Sequence, residues 1–202
     1  MYSPEQDSYF LSDILKKEIK NTNNDFTFLD MGCGSCIQSQ TAKKLGIKKI
    51  TCVDIDDEAI KQARKLKFKA IKSDLFIKVK GKFDTKKIFI NSDFQGAQKP
   101  MVFDIIAFNP PYLSEHKYDK KADTSGGKFG DETIIRFLKQ AKFHLNKGGK
   151  IFLLFSSYTP QSRIKNLIKK SYKIENIFEK RLFMEKLFVY ELIVPSFLRT
   201  KM

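Results

Sequence analysis

The chain has 202 residues, 42% of them hydrophobic and 13% aromatic, which is enough for one full core and too apolar for a disordered tail. No apolar run approaches the roughly 18 residues that span a bilayer. The start, MYSPEQDSYF, lacks a basic-then-apolar leader pattern, so a cytoplasmic protein is expected, folded as one domain over residues 1–202. A formal charge of +15 admits an anionic partner such as RNA or the ribosome. Almost all of that charge is lysine, however, with arginine only at positions 64, 136, 163, 181 and 199, and arginine is the better fork for phosphates and bases.

Helix and strand signals alternate along the chain. An amphipathic stretch over about 7–20 precedes DFTFLD (25–30), which reads as a buried strand. MGCGSC turns the chain into a helix over 37–46, closed by Gly46. KKITCVDID (48–56) is a second strand, DEAIKQARKLK (57–67) a second helix and FKAIKSD (68–74) a third strand. Residues 77–101 are irregular and polar and read as an insertion before the fourth strand, FDIIAFN (103–109). A helix over 131–146 leads through Gly148 and Gly149 to a fifth strand at 150–157. The next helix, 159–171, has Thr159 as its expected N-cap and Pro160 as its first helical residue. Segments 173–183 and 185–194 read as an antiparallel pair, and the tail over 196–202 reads as loose. The alternation predicts an α/β fold: a mostly parallel sheet with helices on both faces and the last strand antiparallel.

In such sheets ligands bind beyond the carboxyl ends of the strands, and four unusual sequences fall there. Asp30-Met31-Gly32-Cys33-Gly34-Ser35-Cys36 ends the first strand; Gly32 and Gly34 let the backbone turn sharply and approach a ligand. Taken alone, D-x-G-x-G marks many nucleotide loops and also some plain turns. Asp54, about twenty residues on, can accept two hydrogen bonds from a ribose diol. Asp74 can accept from an adenine amine while Leu75 packs on the ring; an isolated Asp there would read as a helix cap. Asn109-Pro110-Pro111-Tyr112 is more specific. The Asn109 side-chain oxygen and the Pro110 carbonyl can each accept one N–H of a planar –NH2, orienting a nitrogen whose lone pair is delocalised. Two prolines stiffen the corner, and Tyr112 offers a flat side to the planar group.

Cys33, Cys36 and Cys52 are too few, and odd in number, for a disulfide framework. Cys33 and Cys36 form a C-x-x-C, but one further Cys and two His stand at no metal-ligand spacing. No metal site is expected.

With these motifs the sequence resembles the S-adenosylmethionine-dependent methyltransferases of Rossmann-like, seven-stranded fold. More narrowly it resembles the HemK/PrmC group, which methylates the glutamine of the Gly-Gly-Gln motif in peptide-chain release factors. The resemblance rests on YSPEQDSYFL, DMGCGSC, VDID, SDLF, FDIIAFNPPY and SGGKFGDETIIRFL. Only about 25 residues precede the first strand, which is similar to the short archaeal and eukaryotic branch. The resemblance implies S-adenosyl-L-methionine as cofactor, held by Ser8, Asp30, Gly32, Asp54, Asp74, Leu75 and Asn109. It also implies a target amide held by Asn109, Pro110 and Tyr112, and a small zinc-binding activator as partner. Loop 113–130, with Gly126, Gly127 and Gly130 for flexibility, is expected to close over the site. Cys36 replaces the last glycine or alanine of the family's loop, where helical dihedrals that do not require glycine are expected. Two other readings stay open: an amino-methyltransferase acting on adenine or cytosine in RNA or DNA, and a non-catalytic protein that kept the fold. A nicotinamide dehydrogenase would leave the Asn109 corner without a task.

Overall fold

A computed structural model describes residues 5–19, 25–81, 99–112 and 127–196. The elements run α1 (Gln6–Glu18), β1 (Thr27–Met31), α2 (Ile37–Lys44), β2 (Lys49–Asp54), α3 (Asp57–Lys65), β3 (Lys69–Lys72), β4 (Phe103–Phe108), α4 (Glu132–Ala141), β5 (Leu145–Ser156), α5 (Gln161–Ser171), β6 (Lys173–Arg181) and β7 (Lys186–Ile193). All seven strands join one sheet in the order β3-β2-β1-β4-β5-β7-β6. Strands β1 to β5 pair in parallel, and β7 runs antiparallel to both β5 and β6. This is the expected mostly parallel sheet with an antiparallel final strand.

Period-two alternation sends successive side chains of each central strand to opposite faces. In β4, Ile106 and Phe108 join the core that includes Phe137 and Leu138 of α4. Ile105 and Ala107 join the core built with Phe10, Leu11, Ile14 and Leu15 of α1. Both faces are therefore covered, which is why β4 and β5 read as continuous apolar runs. Burial of several fully enclosed phenylalanines, among them Phe28, Phe137 and Phe152, supplies roughly 1.5–3 kcal/mol each.

Three local expectations need correction. The helix expected over 131–146 stops at Ala141, a 3-10 turn takes Lys142–His144, and β5 begins at Leu145. The strand runs through Gly148 and Gly149 as an irregular bulge, with Leu145 opposite Phe103 and Lys150 opposite Ile105 across a register shift. A Cβ at Gly149 would stand 2.9 Å from the Phe103 carbonyl oxygen, so glycine here serves close strand pairing and not helix termination. Second, Pro160 is the N-cap of α5, and Thr159 makes no cap bond. The Thr159 hydroxyl donates instead to the Tyr112 carbonyl at 3.1 Å. Third, Cys36 is left-handed, at φ +63°, and not helical. That geometry costs a non-glycine residue about 1 kcal/mol.

Of the segment 77–101, Val79 is buried in the core and Lys80 bridges to Pro100; residues 82–98 lie outside the described residues. So do residues 113–126 of the expected closing loop and residues 197–202 of the tail. Among the described residues no helix is long and apolar enough to cross a membrane.

Candidate active site

Parallel strands end together, so the loops after β1, β2, β3 and β4 meet. They surround a cavity of about 460 Å3 whose lining includes Ser8, Asp30, Gly32, Gly34, Asp54, Asp74, Leu75, Asn109, Pro110 and Tyr112. Every candidate cofactor- or amide-holding residue named from the sequence thus lines one cavity.

The glycine loop is built by the strands beneath it. Cys33 N–H donates to the Val53 carbonyl at 3.1 Å, and Gly34 N–H donates to Asp54 Oδ2 at 2.9 Å. The other Asp54 oxygen accepts from Asp56 N–H at 2.9 Å. Burial pushes the Asp54 carboxyl up from its ordinary value, and the N–H bonds from Asp56 and Gly34 oppose that shift. Gly32 has φ +61°, and a Cβ there would stand 3.1 Å from the Phe108 ring. Both conformation and space favour glycine at the point of closest approach.

Asp30 looks inward. Its Oδ2 accepts from Ser39 N–H at 2.9 Å and from the Ser39 hydroxyl at 2.7 Å, pinning α2 to β1. Burial pushes its carboxyl well above the ordinary value, with the nearby Cys52 adding to the rise. Asp74 pairs with Arg136 of α4, which lines the same cavity; one Asp74 oxygen is therefore shared with a guanidinium. Leu75, in the cavity lining, is a non-glycine residue in the left-handed region at φ +47°. Such strain gathers at functional sites.

The Asn109 corner is the most constrained. Asn109 Nδ2 donates to Asp7 Oδ2 at 3.1 Å and to Ser8 Oγ at 3.2 Å. Tyr112 OH donates to the same Asp7 oxygen at 3.0 Å. A carboxylate can only accept, so Asp7 fixes which end of the Asn109 amide faces it. Asn109 Oδ1 is then left buried with no hydrogen-bond partner among the described residues. An unpaired buried acceptor costs about 1–3 kcal/mol. Helix α1 carries this clamp and is held in turn by Gln38, whose Nε2 donates to the Ser8 carbonyl at 2.8 Å.

Asp7, Arg136 and Thr159 also belong to the surroundings of the site, and no motif of their own marks them. Asp7 stood one residue before Ser8 in a stretch already singled out, which was the available signal. Although the cysteines show no metal-ligand spacing in sequence, folding brings Cys52 to within 4.8 Å of the Cys33 and Cys36 sulfurs.

A mostly parallel seven-stranded sheet, a glycine loop followed by an acid on the next strand, and an Asn-Pro-Pro-Tyr corner together define an S-adenosylmethionine-dependent methyltransferase of Rossmann-like fold. The chain belongs to the methyltransferase small domain family, whose model matches residues 6–184. It is 32% identical over 202 aligned positions to a Methanocaldococcus jannaschii protein provisionally named protein N5-glutamine methyltransferase, covering 94% of this chain and 89% of that one. A release factor glutamine methyltransferase of Rhodopirellula baltica is 31% identical over 64% of this chain, which spans only 44% of that relative's length. A ribosomal RNA small subunit methyltransferase C of Haemophilus influenzae is 27% identical over 72% of this chain and 37% of its own. Among solved structures, a ribosomal protein L11 methylase from Lactobacillus delbrueckii subsp. bulgaricus has the same fold, with a TM-score of 0.64 at 19% identity over 96% of this chain and 81% of that one.

Proposed function

We propose that this enzyme methylates a glutamine side-chain amide nitrogen, with the glutamine of the Gly-Gly-Gln motif of a peptide-chain release factor as its acceptor. The observation that carries this reading is the Asn109 amide. Its N–H groups are committed to Asp7 and Ser8, and its oxygen has no partner. An acceptor oxygen kept buried and unpaired suits an N–H donor supplied by a substrate.

The residues at hand fit S-adenosyl-L-methionine. A Cβ at Gly32 would crowd the Phe108 ring, Asp54 retains acceptor capacity for a diol, and Leu75 offers an apolar face in the cavity lining. Gly32, Gly34, Asp54, Asp74 and Leu75 would hold the cofactor, with Ser8, Asp30 and Asn109 beside it. Its chemical contribution is an electrophilic methyl group on a sulfonium.

The protein's own part is positioning. Asn109 Oδ1 and the Pro110 carbonyl each accept one N–H of the acceptor amide, fixing its plane and favouring the positive charge that develops on nitrogen. Tyr112, held by Asp7, flanks the planar group. No strong base is needed before attack, because the nitrogen becomes acidic as it gains the methyl group and its proton leaves late to water.

A second reading is methylation of an exocyclic base amine in RNA, which the likeness to the ribosomal RNA methyltransferase favours. The two separate in one assay. The protein, with and without a candidate zinc-binding activator, is incubated with methyl-labelled S-adenosylmethionine and either purified release factor or ribosomal RNA. Label that survives nuclease and is lost to protease supports the protein acceptor. Label that survives protease and is lost to nuclease establishes the second reading.

A further inference from the structure

Cys33, Cys36 and Cys52 are all buried, and their sulfurs lie within 4.8 Å of one another. They arrive from two directions. Cys33 and Cys36 bracket the glycine loop, closed by a hydrogen bond from Cys36 N–H to the Cys33 carbonyl at 2.6 Å. Cys52 comes from the middle of β2. Ala59 and Ala63 of α3 pack against the cluster, and the Ser39 hydroxyl stands 3.0 Å from Cys52 Sγ.

Packing alone gives no reason for this set. At φ +63° glycine would fit position 36 without strain, yet a sulfur is held there against two others. A cation binding at about 2.3 Å from each sulfur holds tetrahedral sulfurs about 3.8 Å apart. The cluster therefore needs only a small contraction to close around one ion.

We propose that Cys33, Cys36 and Cys52 form a three-thiolate site for one thiophilic d10 cation, zinc(II) or copper(I), which fastens the glycine loop to β2. On binding, three S–H bonds give up their protons to solvent and three metal–sulfur bonds form. Copper(I) is satisfied by three sulfurs. Zinc(II) takes a fourth, non-sulfur ligand but leaves the buried cluster with one negative charge less. The site is separate from the acceptor corner, and the proposal does not depend on which substrate the enzyme methylates.

The test uses the reduced, metal-stripped full chain under anaerobic conditions. One arm titrates zinc(II) chloride and the other copper(I) against a competing chelator, with native mass spectrometry for stoichiometry and a thiol reagent for protection. One ion per chain is expected, with all three thiols shielded and an ultraviolet thiolate-to-metal absorbance; the tighter arm identifies the ion. Cys52→Ser and Cys36→Gly should each weaken binding at least 100-fold. Cys36→Gly keeps the test decisive if Cys52→Ser fails to fold, since glycine suits the left-handed backbone. The proposal is overturned if neither ion binds at one per chain, if either variant binds as tightly as the parent, or if Cys33 and Cys36 form a disulfide that holds no metal.

Discussion

At the carboxyl ends of β1, β2 and β4 the chain keeps polar capacity unspent, whereas at the amino ends of the same strands it spends or solvates everything. At the amino end Asp104 accepts from Thr27 N–H at 2.8 Å, from the Thr27 hydroxyl at 2.7 Å and from Asn146 at 2.8 Å, knitting strand to strand. Around it Lys43, Lys48, Lys49, Lys67 and Lys69 line an open cavity of about 680 Å3. At the carboxyl end, Asn109 and Gln38 each carry a buried side-chain oxygen with no partner among the described residues. Cys36 and Leu75 hold left-handed backbone there. The second cavity is the larger and also holds a left-handed residue, Lys67 at φ +63°, yet no buried side-chain polar atom lining it lacks a partner among the described residues. Volume and charge do not mark a reaction site; unmet hydrogen bonding held in place by a rigid scaffold does.

The largest expected break in that contrast is Asn109→Ala, which removes the unpaired acceptor. Turnover should fall about 100- to 1,000-fold, the range for deleting one preorganised polar contact to a transition state. Calorimetry should show affinity for the demethylated cofactor product within a few-fold of the parent. Full turnover would remove Asn109 from the acceptor role.

Asp7→Asn is the next largest. The substituted amide places a donor where Asn109 and Tyr112 both donate, so the corner loosens without losing a contacting group. A fall in kcat of about 10- to 100-fold is expected, with the fold's melting temperature nearly unchanged. Equal kcat would mean that the α1 clamp plays no part in positioning.

A pH effect on stability follows from His144, whose Nδ1 meets the Met101 carbonyl at 2.7 Å and whose ring stacks on Phe76. Burial holds its pKa below the ordinary value. The unfolded chain therefore takes up the proton first, and this contribution to stability is complete above about pH 6.5 and lost as pH falls through that window toward the folded value. Asp30 and Asp54, raised by burial, act with the opposite sign, so the comparison is with His144→Gln. Urea unfolding at pH 7, 6 and 5 should show the parent losing more stability than the variant. Parallel curves would contradict the assignment.

The smallest effect belongs to the lysine end. Lys48→Ser with Lys49→Ser should change unfolding free energy by no more than about 1 kcal/mol and leave kcat on a short glutamine peptide unchanged. The exposed Lys49–Asp25 pair contributes about 0–1 kcal/mol at most. A tenfold drop in kcat on the peptide would show that this end serves more than solubility or docking.

Much of the sheet was legible because both of its faces are buried, and Phe103–Phe108 and Ile151–Phe155 therefore declare themselves as apolar runs. The glycine loop, Asp54, Asp74 and the Asn109 corner were legible because each sits where a strand signal stops. What escaped lies in long-range meetings. Asp7 reaches Asn109 across 102 residues, and Cys52 joins the C-x-x-C only because β2 pairs with β1. Thr159 looked like a cap because its neighbours are cap-like; tertiary structure gave it the Tyr112 carbonyl instead. The start of β5 was hidden by Asn146-Lys147-Gly148-Gly149, residues with turn chemistry that fall in the register shift between the Leu145 and Lys150 pairings, where only Gly149 is pressed by a neighbouring backbone.

The central claim is that residues 109–112 hold a flat amide nitrogen to receive a methyl group. The most direct measurement is tandem mass spectrometry of a release factor after reaction with this protein, S-adenosylmethionine and, in parallel, a candidate activator. The account predicts a single added methyl group on the glutamine of Gly-Gly-Gln, present with the parent protein and missing with Asn109→Ala. An unmodified glutamine in every sample, alongside methyl groups recovered from ribosomal RNA, would contradict it.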